Sequence, residues 1–131
     1  MKSNGHTGMI LYVSDEAATS KLVLDAIQLA GHDVVSTNRP NEAMALLFVM
    51  HSAAAIVLDL QAPEQYSFDF ARKLRAIHPG IPIILRCCEH AGPLPAWVDA
   101  YLSARDPLDK LISILQAMLT TDRPLAPLRS A

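Results

Sequence analysis

Five short apolar runs alternate along this 131-residue chain with segments of helical periodicity, and that alternation leaves few folds open. The first run is Gly8-Met9-Ile10-Leu11-Tyr12-Val13, which stops abruptly at Ser14-Asp15-Glu16. The second is Val34-Val35-Ser36-Thr37, the third Ala54 to Leu60, the fourth Ile81 to Leu85, and the fifth the brief Tyr101-Leu102-Ser103. They are mostly unbroken rather than polar at every second residue, the pattern of strands covered on both faces. Parallel strands need crossover connections, and helices supply them.

The helical segments carry start and stop signals. Leu22, Ile27 and Leu29, with Val23, Ala26 and Ala30, recur at helical spacing up to Gly31, a residue that tolerates positive φ. Pro40 opens a helix over Asn41 to Met50 with Ala43, Leu46, Leu47 and Met50 on one stripe. Phe68 to Ile77 places Phe70, Leu74 and Ile77 inward and Arg72, Lys73 and Arg75 outward, before His78-Pro79-Gly80. Glu89 to Pro95 holds a glycine and two prolines, so a loop and at most a short helix around Ala96 to Asp99 is expected. Asp106-Pro107 then starts a last helix with Leu108, Leu111, Ile112, Leu115 and Leu119 as its stripe.

The expected fold is a doubly wound, five-stranded parallel sheet of flavodoxin-like order 2-1-3-4-5, with five helices on both faces. Hydrophobic residues at 51% and aromatics at only 5% suit helices on a parallel sheet. Residues 1–8 are expected as a polar N-terminal tail without the apolar core of a signal peptide, 9–120 as the domain, and 121–131 as a tail or truncated linker. No apolar stretch approaches the ~20 residues that span a bilayer, which predicts no membrane association. A formal charge of −2 without clustered cations argues against direct nucleic-acid binding. The adjacent Cys87 and Cys88 are poorly placed for a mutual disulfide, which fits a reducing, cytoplasmic location. All five histidines (6, 32, 51, 78, 90) read as surface or turn residues, and Trp97 as either a core plug or part of an exposed patch.

In such sheets ligands collect at the carboxyl ends of the strands. Those ends hold Ser14, Asp15 and Glu16 on the first strand, Asp59 and Gln61 on the third, and Arg86, Cys87 and Cys88 on the fourth. An acid closing a run as apolar as Ala54 to Leu58 is costly without a purpose. Two carboxylates converging at one rim repel unless a cation intervenes, and Mg²⁺, with its oxygen ligands, is the natural one. One of the two would then be able to attack phosphorus and form an acyl phosphate.

At these residues the chain resembles a response-regulator receiver domain of two-component signalling, over roughly Met9 to Leu119. Ile10-Leu11-Tyr12-Val13-Ser14-Asp15-Glu16 is similar to that family's first strand, and Val57-Leu58-Asp59-Leu60-Gln61-Ala62-Pro63 to its third. The resemblance implies Asp59 as phosphoacceptor, Asp15 as direct Mg²⁺ ligand and the Gln61 backbone carbonyl as a further ligand. It also implies a histidine kinase or phosphotransfer protein as donor, a downstream protein partner at the fourth and fifth units, and no enzymatic activity of its own. Homodimerisation is left open.

Several family positions are altered. Ser14 replaces an acid and reaches a metal only through water. Cys87 stands where a switch Thr or Ser is usual, and a thiol is a weak donor. Ala104 stands where a Lys contacts the phosphoryl group, unless Arg105 takes that role through a one-residue shift. Tyr66-Ser67 replaces an Asp-Gly. Two functions therefore compete: a phosphoacceptor, and a pseudo-receiver acting as a phosphorylation-independent interaction module. A third, a flavodoxin-like enzyme or nucleotide binder, lacks a glycine-rich phosphate loop.

Overall fold

Branched and aliphatic residues recur where the chain needs extended backbone, and the computed structural model places a parallel sheet there. Residues 9–50, 53–61, 64–87 and 93–119 are described, apart from the side chains of 17–19 and 64. Their elements run β1 (Met9–Ser14), α1 (Ala17–Leu29), β2 (Asp33–Thr37), α2 (Pro40–Val49), β3 (Ala53–Asp59), α3 (Glu64–Ile77), β4 (Ile83–Cys87), β5 (Ala100–Ser103) and α4 (Leu108–Leu119). The five strands lie in the order β2-β1-β3-β4-β5, as the sequence predicts. Every pairing is parallel, with Ser14 opposite Asp59 and Asp59 opposite Arg86.

Alternation along each strand divides the core in two. Leu11, Val13, Ile56, Leu58, Leu85 and Cys87 belong to one buried cluster, which takes in Ala43 and Leu47 of α2 and Phe70 and Leu74 of α3. Ile10, Tyr12, Val57, Ile84 and Leu102 belong to the other, under Val23 and Ile27 of α1 and Leu111, Leu115 and Met118 of α4. No helix among the described residues is long and apolar enough to cross a membrane.

Four helices are present among the described residues where five are expected from the sequence. Between β4 and β5, residues 93–99 hold only a turn at Ala96 and Trp97, closed by the Val98 N–H donating to the Pro95 carbonyl at 3.2 Å. Proline removes a donor and restricts its predecessor, so Pro93 and Pro95 disfavour a helix here. Glu89 to Gly92 of the expected loop, Cys88, His6, His51, His90 and both tails lie outside the described residues.

Two side-chain expectations are corrected. Leu22 and Leu29 are 67% and 87% exposed, because they lie off the Val23–Ile27 stripe, one residue (about 100°) before Val23 and two residues (about 200°) beyond Ile27. Arg75 does not face solvent. From α3 it donates through Nη1 to the carbonyls of Pro79 (2.9 Å) and Ile81 (2.6 Å), and through Nη2 to that of Trp97 (3.2 Å). It also pairs with Asp99 at 2.6 Å, and the same Asp99 oxygen accepts the Ile83 N–H at 2.7 Å. Trp97 donates its indole N–H to the Phe68 carbonyl at 2.8 Å, which makes it a plug. Arg72 lies over its ring at 5.8 Å. This network ties the described part of the fourth crossover to α3 and β4.

α3 begins at Glu64, four residues before the expected start, and α1 ends as expected before Gly31, whose φ is 98°. His32, just beyond, sits in the expected turn, but both its ring nitrogens are buried without a partner, and burial lowers its pKa.

Arg75→Met should lower stability to urea unfolding by about 2–4 kcal/mol, since Asp99 and the carbonyls lose a partly buried cation. Arg72→Met should cost under about 1 kcal/mol. Equal midpoints for the two variants would contradict the staple assignment.

Candidate functional site

Asp59 ends β3 with a single polar side chain after a run of apolar ones, and the fold buries it to 1% exposure. Its carboxylate sits on the Tyr12 side of the sheet. The Tyr12 hydroxyl donates to Oδ2 at 2.5 Å, and the Arg86 guanidinium donates through Nη1 to Oδ1 at 2.9 Å. Arg86, whose side chain is 12% exposed, uses Nη2 to reach the Ala104 carbonyl at 3.1 Å. One cation from β4 thus links the end of β3 to the turn after β5. Ala104 contributes only backbone, and its own N–H donates to the Cys87 carbonyl at 2.7 Å.

The environment of Tyr12 raises its pKa above the usual phenol value. Burial is the largest cause, followed by the hydrogen bond to Asp59 and the charge of that carboxylate. A phenol held neutral remains a donor, so the bond to Asp59 persists at ordinary pH.

The other strand-end residues fall around this cluster, and of them Ser14 also acts on the Tyr12 hydroxyl. Ser14 is directly opposite Asp59 in register, but its hydroxyl is engaged with the Glu16 backbone, donating to O at 3.1 Å and accepting from N at 3.0 Å. Asp15 is exposed, and its Oδ1 accepts the Gln61 N–H at 2.8 Å, tying the β1 end to the loop after β3. Cys87 is 2% exposed within the apolar cluster on the other face. Arg105 is exposed in the turn after β5, with its N–H donated to Ser103 Oγ at 3.1 Å. Ala62 and Pro63 lie outside the described residues.

Sequence reasoning placed Asp59 and Asp15 but missed Tyr12 and Arg86 as partners. The signal was there. An arginine inside Ile83-Ile84-Leu85-Arg86-Cys87 is a charge in a buried strand and demands a counter-ion. Tyr12 has the same parity as Ser14, the residue opposite Asp59, so its ring shares that face.

No family model matches the chain. It is 24% identical over 123 residues to the probable transcriptional regulatory protein TcrX of Mycobacterium tuberculosis, covering 90% of this chain and 52% of that protein. The response regulator MprA of Mycobacterium leprae is 26% identical over 120 residues, covering 88% and 52%. The chain therefore spans about half the length of these curated relatives. Among solved structures, a CheY-like receiver domain protein from Methanospirillum hungatei superposes with a TM-score of 0.76 at 19% identity, covering 86% of this chain and 94% of that one. A putative pilus assembly-related protein from Burkholderia pseudomallei gives 0.75 at 17%, covering 92% and 95%.

Alkaline titration should expose Tyr12. A phenol whose pKa is raised on folding contributes stability that is complete below its unfolded value near 10 and lost as pH rises beyond it. Stability should fall above about pH 10, and Tyr12→Phe should flatten that fall while lowering stability at neutral pH by about 1–3 kcal/mol. Identical pH profiles for the two proteins would contradict the assignment. The chain thus has the fold of receiver domains, and over 88–90% of its length its sequence is similar to part of these response regulators.

Proposed function

We propose that the chain works as a pseudo-receiver, an interaction module whose contacts with a protein partner do not require phosphorylation of Asp59. The observation that carries this reading is the closure of Asp59. The carboxylate is 1% exposed, and each of its oxygens already has a partner, Tyr12 on one and Arg86 on the other. A nucleophile must present a free oxygen in line with the attacked phosphorus. Here that oxygen becomes available only when a buried ion pair or a short hydrogen bond is broken.

The donor set does not fit Mg²⁺ in this arrangement. The ion prefers near-octahedral oxygen coordination with one or two carboxylates. Asp59 is neutralised by a guanidinium, the Ser14 hydroxyl is engaged locally, and one Asp15 oxygen holds the Gln61 N–H. Among the described residues no group of three or more His, Cys, Asp or Glu side chains converges. A cation entering beside Asp59 would also meet the charge of Arg86.

In this reading the partner docks at the face of the fourth and fifth units, where Arg75 and Trp97 hold the crossover in one arrangement. The partner is a kinase, a phosphotransfer protein or a downstream effector, and the domain carries out no reaction itself. A phosphoacceptor role remains the second reading. It is favoured by the register that sets Ser14 opposite Asp59 and by the neighbouring Asp15 tied to Gln61.

Incubation with Mg²⁺ and acetyl phosphate, followed by intact mass, separates the two. The wild type should gain no phosphoryl group and should match Asp59→Ala, and Mg²⁺ with beryllofluoride should leave Trp97 fluorescence unchanged. Stoichiometric labelling that disappears in Asp59→Ala would establish the phosphoacceptor instead.

A further inference from the structure

A second feature occupies the same end of the sheet. A cavity of about 380 Å³ opens where β1 and β2 end, lined by Tyr12, Ser14, Ser36, Thr37, Asn38 and Arg39 among others. Pockets for drug-like ligands are mostly apolar with a few polar anchors. This one is walled mainly by hydroxyls, an amide and a guanidinium, with one carboxylate (Glu42) and one leucine (Leu24), so its chemistry suits a small and strongly polar molecule.

Some of those groups are already engaged. Ser14 is bonded to the Glu16 backbone. The Thr37 hydroxyl donates to Glu42 Oε1 at 2.5 Å and accepts the Arg39 N–H at 3.1 Å, which holds the one acid of the wall on Thr37. The Tyr12 hydroxyl is held by Asp59, which leaves Ser36, Asn38 and Arg39. Among the described residues, no carboxylate lies within ion-pair distance of Arg39, and the Ser36 and Asn38 side chains make no hydrogen bond. Arg39 is the N-cap residue of α2 but places no side-chain bond on that helix. A cation without a counter-ion, beside an unbonded hydroxyl and amide in a cavity of ligand size, is a recognition set for an anion bearing hydroxyls.

We propose that this cavity binds a small hydroxylated anion, with its carboxylate or phosphate on Arg39 and its hydroxyls against Ser36 and Asn38. The carboxyl ends of a doubly wound sheet are where such folds collect ligands. The site is separate from Asp59 and does not depend on how that residue is used. It nevertheless shares Tyr12, which lines the cavity and donates its hydroxyl to Asp59. Occupancy therefore bears on the packing of the residue that closes the Asp59 site.

Calorimetric titration of the 131-residue chain with ribose 5-phosphate and with gluconate, using ribose as the neutral control, tests this without any metal. At least one of the two acids should saturate with a Kd below about 1 mM. Arg39→Gln should weaken that binding at least about tenfold, whereas Arg72→Gln on α3 should bind as wild type does. Preference for the first or the second acid identifies phosphate or carboxylate as the anionic group. Absence of saturation by either acid, equal affinity in Arg39→Gln, or ribose binding as tightly as the acids would overturn the proposal. Thermal unfolding of Arg39→Gln in the same buffer confirms that the exposed substitution leaves the fold intact.

Discussion

The ion pair between Asp59 and Arg86 is the interaction around which the carboxyl end of this sheet is organised. Taking two charges out of water is expensive, and attraction between them offsets that cost only when the geometry is good and the remaining polar atoms are satisfied. Both conditions are met. The pair is at 2.9 Å, the second carboxylate oxygen accepts from Tyr12, and the second guanidinium nitrogen donates to Ala104. Three strands and the turn after a fourth are thereby joined through one buried carboxylate.

That arrangement bears on the positions where the sequence departs from the receiver pattern it resembles. With Ala104 in place of a lysine, the rim would hold a buried acid with no cation. Arg86 supplies the positive charge from the neighbouring strand and takes hold of the Ala104 backbone instead. Tyr12 supplies a hydroxyl from the α1 side of the sheet, while Cys87 lies in the cluster on the opposite side. In the proposed pseudo-receiver reading, Tyr12 and Arg86 take the place of the absent groups by binding Asp59 itself. In a site kept open for phosphoryl transfer, the same groups would face the incoming phosphate.

Much of the fold was legible because its determinants are local. Unbroken runs such as Ala54 to Leu58, and the Gly31 and Pro40 punctuation, fix strands and helices through patterning and backbone preference. The order of the strands followed from the resemblance and the crossover logic, and it holds. What escaped sequence reading depends on groups that meet only in three dimensions. Arg75 sits among charged neighbours on α3 and reads as solvent-facing, yet carbonyls from Pro79, Ile81 and Trp97 draw it in. The fourth helix was overestimated because the alternating pattern argued for it while Pro93 and Pro95 argued against. At the site, the position of Asp59 was readable from its run. Its pairing with Tyr12 and Arg86 was not read, because Tyr12 was taken as part of an apolar strand and Arg86 only as a strand-end residue with no partner assigned.

A double-mutant cycle between Asp59→Leu and Arg86→Met tests most directly whether Asp59 is a clamped structural anion. Each single replacement leaves an uncompensated buried charge and should cost about 3–5 kcal/mol in urea unfolding, while the double replacement should cost much less than their sum. A coupling energy of at least about 2 kcal/mol is the result expected from the geometry. Additive costs would contradict it, and a gain in stability from Asp59→Leu alone would contradict it and mark Asp59 as a residue retained for chemistry at the expense of stability.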